Sequence, residues 1–148
     1  MRENRKRLIF IYVMLLSLLS SCQNDKSKTY MESMGMEREK YTSFVIVLDY
    51  GCHTCKDRFY EYVLEGYPEK SALVFKRKPD QATLVNNKEL FGKAFVFVDS
   101  LDISYEMGIT EKNTELALWK NGKVETFSFL EYEKLIEGLE SDQTNVGN

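Results

Sequence analysis

The stretch "FVIVLDYGCHTC", residues 44–55, joins an uninterrupted apolar run to two cysteines that are separated by two residues. The run Phe44–Leu48 is rich in β-branched residues, which is typical of a strand buried on both faces of a parallel sheet. The segment that follows, Cys55–Glu65, predicts a helix because its apolar residues recur at helical spacing on one face. Cys52 and Cys55 are therefore expected where a buried strand turns into a helix.

The rest of the chain continues the alternation of apolar runs and amphipathic segments. Further strands are predicted at Ala72–Phe75, Ala94–Val98, Leu116–Trp119 and Val124–Phe127, and further helices from Asp80 to about Leu90, at Leu101–Gly108 and at Phe129–Leu139. In the helix that begins after Asp80, Leu84 and Val85 are expected to face inward. Asn121-Gly122 is a strong signal for a two-residue hairpin. The order β-α-β-α-β-(α)-β-β-α predicts an α/β fold with parallel early strands and a final antiparallel hairpin.

The first 22 residues are typical of an export signal. Basic residues precede an apolar segment, Leu8–Leu19, that is shorter than the roughly 20 residues of a membrane-spanning helix. Leu19-Ser20-Ser21-Cys22 then resembles the lipobox of bacterial lipoproteins. The resemblance implies cleavage before Cys22 and lipidation of the Cys22 thiol. The alternative is an ordinary signal peptide with a free cysteine nearby.

These features divide the chain into four segments. Residues 1–21 are predicted to be a lipoprotein signal peptide, and residues 22–41 the lipidated cysteine and a flexible tether. Residues 42–140 are expected to form the folded domain, and the polar residues 141–148 a disordered tail.

The net charge of the chain limits the kinds of partner that it can bind. The full chain has a formal net charge of −3, and removal of residues 1–21, which carry a net +3, leaves −6. A domain this acidic should not bind anionic lipid through its charge, so acyl chains must supply the membrane attachment. The short basic run at residues 76–78 is interpreted as a solvated strand end. We therefore expect no nucleic-acid partner.

The cysteine count narrows the role of the central pair. The chain contains 3 cysteines, and lipidation would occupy Cys22. Cys52 and Cys55 can then pair only with each other within the chain, and an exported protein lies where disulfides persist. A disulfide between Cys52 and Cys55, either reversible or permanent, is therefore expected.

Several landmarks together resemble a known fold. They are "FVIVLDYGCHTC", "SALVFKRKPDQATLVNNKELFG", "KAFVFVDSLDISYEMGIT" and "LALWKNGKVETF". Over Ser43–Leu139 the chain resembles the thioredoxin-like fold, and more narrowly the TlpA/ResA group of envelope thiol–disulfide oxidoreductases and their peroxiredoxin-like relatives. The resemblance implies a three-layer sandwich in which helices flank a central mixed sheet.

The same resemblance implies a function and a location. We expect a monomer that needs no metal or cofactor and exchanges disulfides with dithiols or disulfides of envelope proteins. Its place would be the bacterial cell membrane or outer membrane, where it is lipid-anchored and faces the periplasm or the surface.

Two positions depart from the family pattern. Gly51 stands before the first cysteine, where the family usually has tryptophan. The cis-proline that opens the hairpin strand in the family corresponds to Asn113 or Thr114. Family members use that proline loop to dock the substrate backbone, so Asn113 and Thr114 mark the expected docking loop.

The two cysteines are expected to have different chemical roles. A helix N-terminus favours the thiolate of Cys52, which is the attacking species, and Cys55 would be the resolving thiol. His53, if protonated, would stabilise that thiolate further; the alternative is an exposed histidine with no electrostatic role.

An acid near Cys55 could accept its proton. Asp49, Asp57 and Glu61 are candidates, although Asp57 and Glu61 are more simply interpreted as surface charges. Nothing in the sequence chooses among the three.

Two other functions stay open. One is a non-catalytic binding or assembly lipoprotein in which the disulfide is inert. The other is a copper carrier that uses the two thiolates and the thioethers of Met31, Met34 and Met36. Those methionines are equally compatible with an amphipathic turn that packs on the domain.

Overall fold

The computed structural model describes residues 26–141. Five strands are present: β1 (Ser43–Leu48), β2 (Ser71–Lys76), β3 (Val96–Asp99), β4 (Leu116–Lys120) and β5 (Lys123–Phe127). The helices are α1 (26–33), α2 (His53–Gly66), α3 (Gln81–Asn86), α4 (Ile103–Glu106) and α5 (Tyr132–Glu140), with 3₁₀ turns at Leu90–Gly92 and Phe129–Glu131.

The strands form one mixed sheet in the order β3-β2-β1-β4-β5. β1, β2 and β3 run parallel, as the helices between them require, and β4 pairs antiparallel with both β1 and β5. Asn121 and Gly122 both have positive φ angles, 52° and 75°, as a two-residue hairpin turn demands. The predicted mixed sheet with flanking helices is confirmed.

Alternate residues of β1 face two separate apolar layers. Val45 and Val47 pack with α2, α5 and the 3₁₀ turns, where Phe59, Val63 and Leu135 are fully or almost fully buried. The last helix buries Leu135 and Leu139 in this layer, and Ile136 is partly buried. This layer fixes the start of α2 against the end of β1.

The opposite face of the sheet is covered by residues 26–41 and by α4. Tyr30 and Met31 of α1 are 0% and 2% exposed, and the Tyr30 ring lies 5.6 Å from that of Phe44. Met36 and Tyr41 are also buried in this layer. The expectation of a flexible tether is therefore wrong for residues 26–41, because their apolar side chains fill a sheet face that would otherwise be uncovered.

Burial also explains the methionine cluster. Met31 and Met36 lie in the apolar layer and Met34 packs against it. Their thioethers are packing groups, which is the alternative to copper binding that the sequence left open.

Two further expectations are wrong. Lys76 is 1% exposed, so the basic run at residues 76–78 is not solvated throughout. Its ammonium donates to the carbonyl oxygens of Glu111 (2.6 Å) and Lys112 (3.3 Å). Val85 is 64% exposed, whereas Thr83 is buried, because the short α3 is held by polar contacts of Thr83.

The predictions for the chain ends concern residues outside the described range. Residues 1–25 include the signal segment and Cys22, and residues 142–148 most of the expected tail; these stay predictions. Within residues 26–141, no helix is long and apolar enough to cross a bilayer.

Candidate functional site

The two cysteines lie where the chain leaves the centre of the sheet. β1 ends at Leu48, and Gly51 then adopts φ = 101°, a conformation that side chains disfavour. Cys52 is the N-cap of α2, and its carbonyl oxygen accepts the hydrogen bond of Lys56 N at 3.1 Å. The predicted position of Cys52 at a helix start is therefore confirmed.

The cysteine sulfur atoms are adjacent. The distance from Cys52 Sγ to Cys55 Sγ is 2.7 Å, and both residues are free thiols in the structure. Cys52 is exposed, whereas Cys55 is partly covered by the helix. Since a disulfide bond measures about 2.05 Å, the pair is placed for oxidation with little movement. The disulfide itself stays a prediction.

The two thiols differ in acidity. The pKa of Cys52 is lowered, chiefly by the hydrogen bond from the Cys55 thiol and then by the backbone N–H groups of Cys55 and Thr54. The pKa of Cys55 is raised, chiefly because its thiol is the donor to Cys52 and then by burial. This asymmetry favours the thiolate on Cys52 and the proton on Cys55.

His53 is the first residue of α2, directly after Cys52. Its side chain is outside the described part of the structure, so its influence on Cys52 stays a prediction.

Glu115 brings a negative charge to the dithiol. It lies directly before β4, and its carbonyl oxygen accepts from Leu48 N at 2.8 Å. Its carboxylate is held by Phe129 N at 2.7 Å, and a Cβ built on Gly51 would lie 3.5 Å from its Oε1 atom. The carboxylate raises the pKa of both Cys52 and Cys55. No local sequence pattern predicts this residue, because its approach to the dithiol loop depends on the pairing of β1 with β4.

The predicted docking residues form a turn of their own. Thr114 N donates to Glu111 O at 3.3 Å, and Thr114 Oγ1 accepts from Glu111 N at 3.1 Å. No peptide bond within residues 26–141 is cis. Among Asn113, Thr114 and Glu115, it is Glu115 whose side chain reaches the loop before Cys52. A docking role for Asn113 and Thr114 stays a prediction.

A buried ion pair lies behind the dithiol. Asp49 and Lys56 have side chains only 3% and 2% exposed, and Lys56 Nζ is 2.9 Å from Asp49 Oδ1. The Asp49 carboxylate also accepts from Tyr60 OH and Thr83 Oγ1, each at 3.0 Å, and from Asp80 N at 2.9 Å. These four donors occupy the Asp49 carboxylate, which links α2 and α3 to the end of β1. The contacts argue against a proton-accepting role for Asp49.

The other two candidate acids, Asp57 and Glu61, are exposed on α2 and confirmed as surface charges. Lys56 on the same helix, in contrast, is buried. The sequence carries a signal for this burial, because Lys56 lies four and seven residues before Tyr60 and Val63, at the spacing of the buried helix face.

A small groove opens beside Cys55. It has a volume of about 240 Å³, and its lining includes Thr54, Cys55, Arg58, Phe129 and Leu130. Leu130 is 80% exposed and adds apolar surface to this groove.

The described residues contain no group of three or more histidine, cysteine, aspartate and glutamate side chains that could hold a metal ion. The two thiols of Cys52 and Cys55 are the soft ligands that the site itself offers.

Comparisons with protein-family models, with curated proteins and with solved structures find no match to this chain. The chain's own fold and site are therefore the evidence for its class of protein.

Proposed function

We propose that the chain is a thioredoxin-like thiol–disulfide exchange protein that acts through Cys52 and Cys55. The support is a dithiol at the junction of a central strand with a helix, in a sheet whose order and strand directions suit that fold. The single observation that carries the proposal is the geometry of the pair: Cys52 is exposed at the start of α2, and its Sγ lies 2.7 Å from Cys55 Sγ. The lowered pKa of Cys52 and the raised pKa of Cys55 agree with it.

The exchange follows from that asymmetry. The Cys52 thiolate attacks one sulfur of a partner disulfide, forms a mixed disulfide and releases the other partner sulfur as a thiolate. Cys55 then loses its proton and attacks Cys52 Sγ, which releases the second partner thiol. Two electrons pass from the pair to the partner, and the pair ends as a disulfide. The reverse sequence oxidises a partner dithiol.

The surroundings suit a protein partner better than a small oxidant. The groove beside Cys55 and the exposed Leu130 offer an apolar surface next to the attacking sulfur. Tyr50, two residues before Cys52, is 75% exposed on the loop that precedes α2. A polypeptide could bury these side chains while its disulfide reacts.

The location is part of the proposal. Lipidation of Cys22 would hold the domain at a bacterial membrane, facing the periplasm or the surface, where envelope proteins supply dithiols and disulfides. The support is the sequence Leu19-Ser20-Ser21-Cys22 after a basic and apolar segment.

Equilibration with glutathione tests the chemistry. The purified domain should interconvert between dithiol and disulfide in glutathione buffers, and iodoacetamide should alkylate Cys52 with a pH midpoint below that of an ordinary thiol. A Cys52 of ordinary acidity together with a disulfide that resists glutathione would refute the proposal.

A second candidate is a binding or assembly lipoprotein with the same scaffold and an inert disulfide. The observation that favours it is the turn at Asn113 and Thr114, which lacks the proline that the related oxidoreductases use for docking. Under this alternative, replacing both cysteines by serine would leave binding of the partner unchanged, whereas exchange requires both.

A further inference from the structure

Glu115 is a carboxylate that the pairing of β1 with β4 brings against the loop before Cys52. β1 and β4 are antiparallel neighbours, with Val47 opposite Leu116, so the residue before β4 lies beside the residues that follow β1. This places Glu115 next to the loop that carries Gly51 and Cys52.

The carboxylate is fixed rather than free to swing away. Phe129 N donates to Glu115 Oε2 at 2.7 Å, and Leu48 N donates to the Glu115 carbonyl oxygen at 2.8 Å. Glu115 is also only partly exposed, so solvent screens its charge less than that of a surface carboxylate.

The Glu115 carboxylate lies beside the residue that precedes Cys52. A Cβ built on Gly51 would be 3.5 Å from Glu115 Oε1, which is van der Waals contact, while the φ of 101° is what favours glycine at this position. The position where the related oxidoreductases carry tryptophan is thus open here, and a negative charge lies against it.

We propose that Glu115 is a positioning residue that shifts the equilibrium between the dithiol and disulfide forms of the pair. Its fixed charge opposes the Cys52 thiolate and thereby favours the disulfide form. This inference rests on the proposed function. Its consequence is that Glu115 makes the pair a better electron donor towards a partner disulfide than the same site would be without the charge, because the reduced form loses stabilisation.

The interactions of the two thiols agree with this role. Glu115 raises the pKa of Cys52 and of Cys55, whereas the hydrogen bond from Cys55 lowers that of Cys52. Other charges face the pair as well: Arg58 lowers the pKa of Cys55. Burial and Glu115 both raise the pKa of Cys52 against the helix start and Cys55, so removal of the Glu115 charge should lower that pKa.

Glu115→Gln is the informative variant, since its amide oxygen can still accept from Phe129 N. We expect the pH midpoint of Cys52 alkylation to fall, and the equilibrium with glutathione, measured above that midpoint, to shift several-fold towards the dithiol. Glu115→Asp retains the charge and should move both quantities less than Glu115→Gln. Circular dichroism establishes that each variant is folded.

Glu131→Gln is the matched control. It removes the same charge from the neighbouring 3₁₀ turn, and glutamine suits the capping box that Glu131 makes with Ser128. The control should leave both quantities unchanged. An unchanged midpoint in folded Glu115→Gln, or equal shifts in Glu115→Gln and Glu131→Gln, would overturn the inference.

The result also separates this inference from the proposed function. A wild-type Cys52 of ordinary acidity in a pair that glutathione cannot reduce would count against the function itself. A wild-type Cys52 of lowered pKa that is insensitive to Glu115 would count against the inference alone.

Discussion

Cys55 contributes to the acidity of Cys52 mainly as a hydrogen-bond donor, with its sulfur 2.7 Å from that of Cys52. Cys55→Ala removes the donor, so the pKa of Cys52 should rise and alkylation at a fixed pH below the midpoint should slow. Cys55→Ser is the matched control because its hydroxyl can still donate. Iodoacetamide rates measured across pH give both midpoints; equal midpoints in the two variants would contradict the hydrogen bond.

The pH dependence of exchange has a definite sign. The thiolate is the nucleophile, so the rate should be greatest above the pKa of Cys52 and fall as the pH decreases through it. Because that pKa is lowered, exchange should persist at pH values where an unperturbed thiol is largely protonated. Stopped-flow exchange with an aromatic disulfide at a series of pH values measures the profile, and a profile that follows an ordinary thiol would contradict it.

For a single residue, the sequence could predict the position only where the neighbouring residues along the chain determine it. Cys52 and Cys55 are recognisable because the strand and helix around them are local patterns. Glu115 reaches the dithiol through the pairing of β1 with β4, and Lys76 is buried because distant carbonyl groups from residues 111 and 112 meet it. The surrounding sequence contains no pattern that predicts either contact.

The start of α2 is held by the buried pair Asp49–Lys56. Asp49→Asn leaves the Lys56 charge only its longer contact with the exposed Asp80, at 3.6 Å, and loss of one member of a buried pair costs up to about 3–5 kcal/mol. We expect the double variant Asp49→Asn/Lys56→Met to be more stable than Asp49→Asn alone, because no uncompensated charge remains. Urea unfolding of the reduced protein gives the free energies.

An exposed pair provides the control for that experiment. Lys134→Met removes the partner of Glu131 on α5, where both side chains are largely solvated, and it should change the unfolding free energy little. A loss in Asp49→Asn no larger than that in Lys134→Met would show that the buried pair does not secure the helix.

Helix α1 is an integral part of the fold. Met31 is 2% exposed, so Met31→Ala should reduce the unfolding free energy by about 2–5 kcal/mol. Glu32→Ala, on the exposed side of the same helix, should have little effect, since its partner is the exposed Arg38. Equal stability of Met31→Ala and wild type would contradict the packing of α1 and support the flexible tether that the sequence predicted.

The misreading of α1 has a physical reason. Its apolar residues Tyr30, Met31 and Met34 are few and lie among charged residues, so the segment resembles a solvated spacer. Only the sheet shows that Phe44 and Ile46 need a cover on that face. The five strands and the hairpin, in contrast, were predictable because continuous apolar runs and Asn121-Gly122 are strong local signals.

Lys26, the first residue that the structure describes, lies towards the end of the sheet that carries the dithiol. A Cβ on Gly108, which follows β3 and α4, would lie 3.8 Å from Lys26 Nζ. β1, β2 and β3 are parallel, so β3 and β1 end at this same edge. Cys22 precedes the buried Ser27 by five residue steps, which span at most about 18 Å.

If Cys22 carries the proposed lipid, the dithiol edge is therefore held near the membrane. A bulky maleimide should then label Cys52 more slowly than a small one on intact membranes, and a Gly/Ser insertion of about 15 residues after Asp25 should reduce this difference. Labelling of the detergent-solubilised protein controls for intrinsic reactivity. An insertion without effect on the ratio of the two rates would contradict the arrangement.

The most direct test of the central claim is a Cys55→Ser trap in the native cell. Without its resolving thiol, Cys52 should accumulate a mixed disulfide with its partner, visible as a band that reductant removes on a non-reducing gel and that mass spectrometry can identify. The band should be absent from the Cys52→Ser/Cys55→Ser variant. A trap that captures no protein through Cys52, although the variant is folded and present at the membrane, would contradict thiol–disulfide exchange.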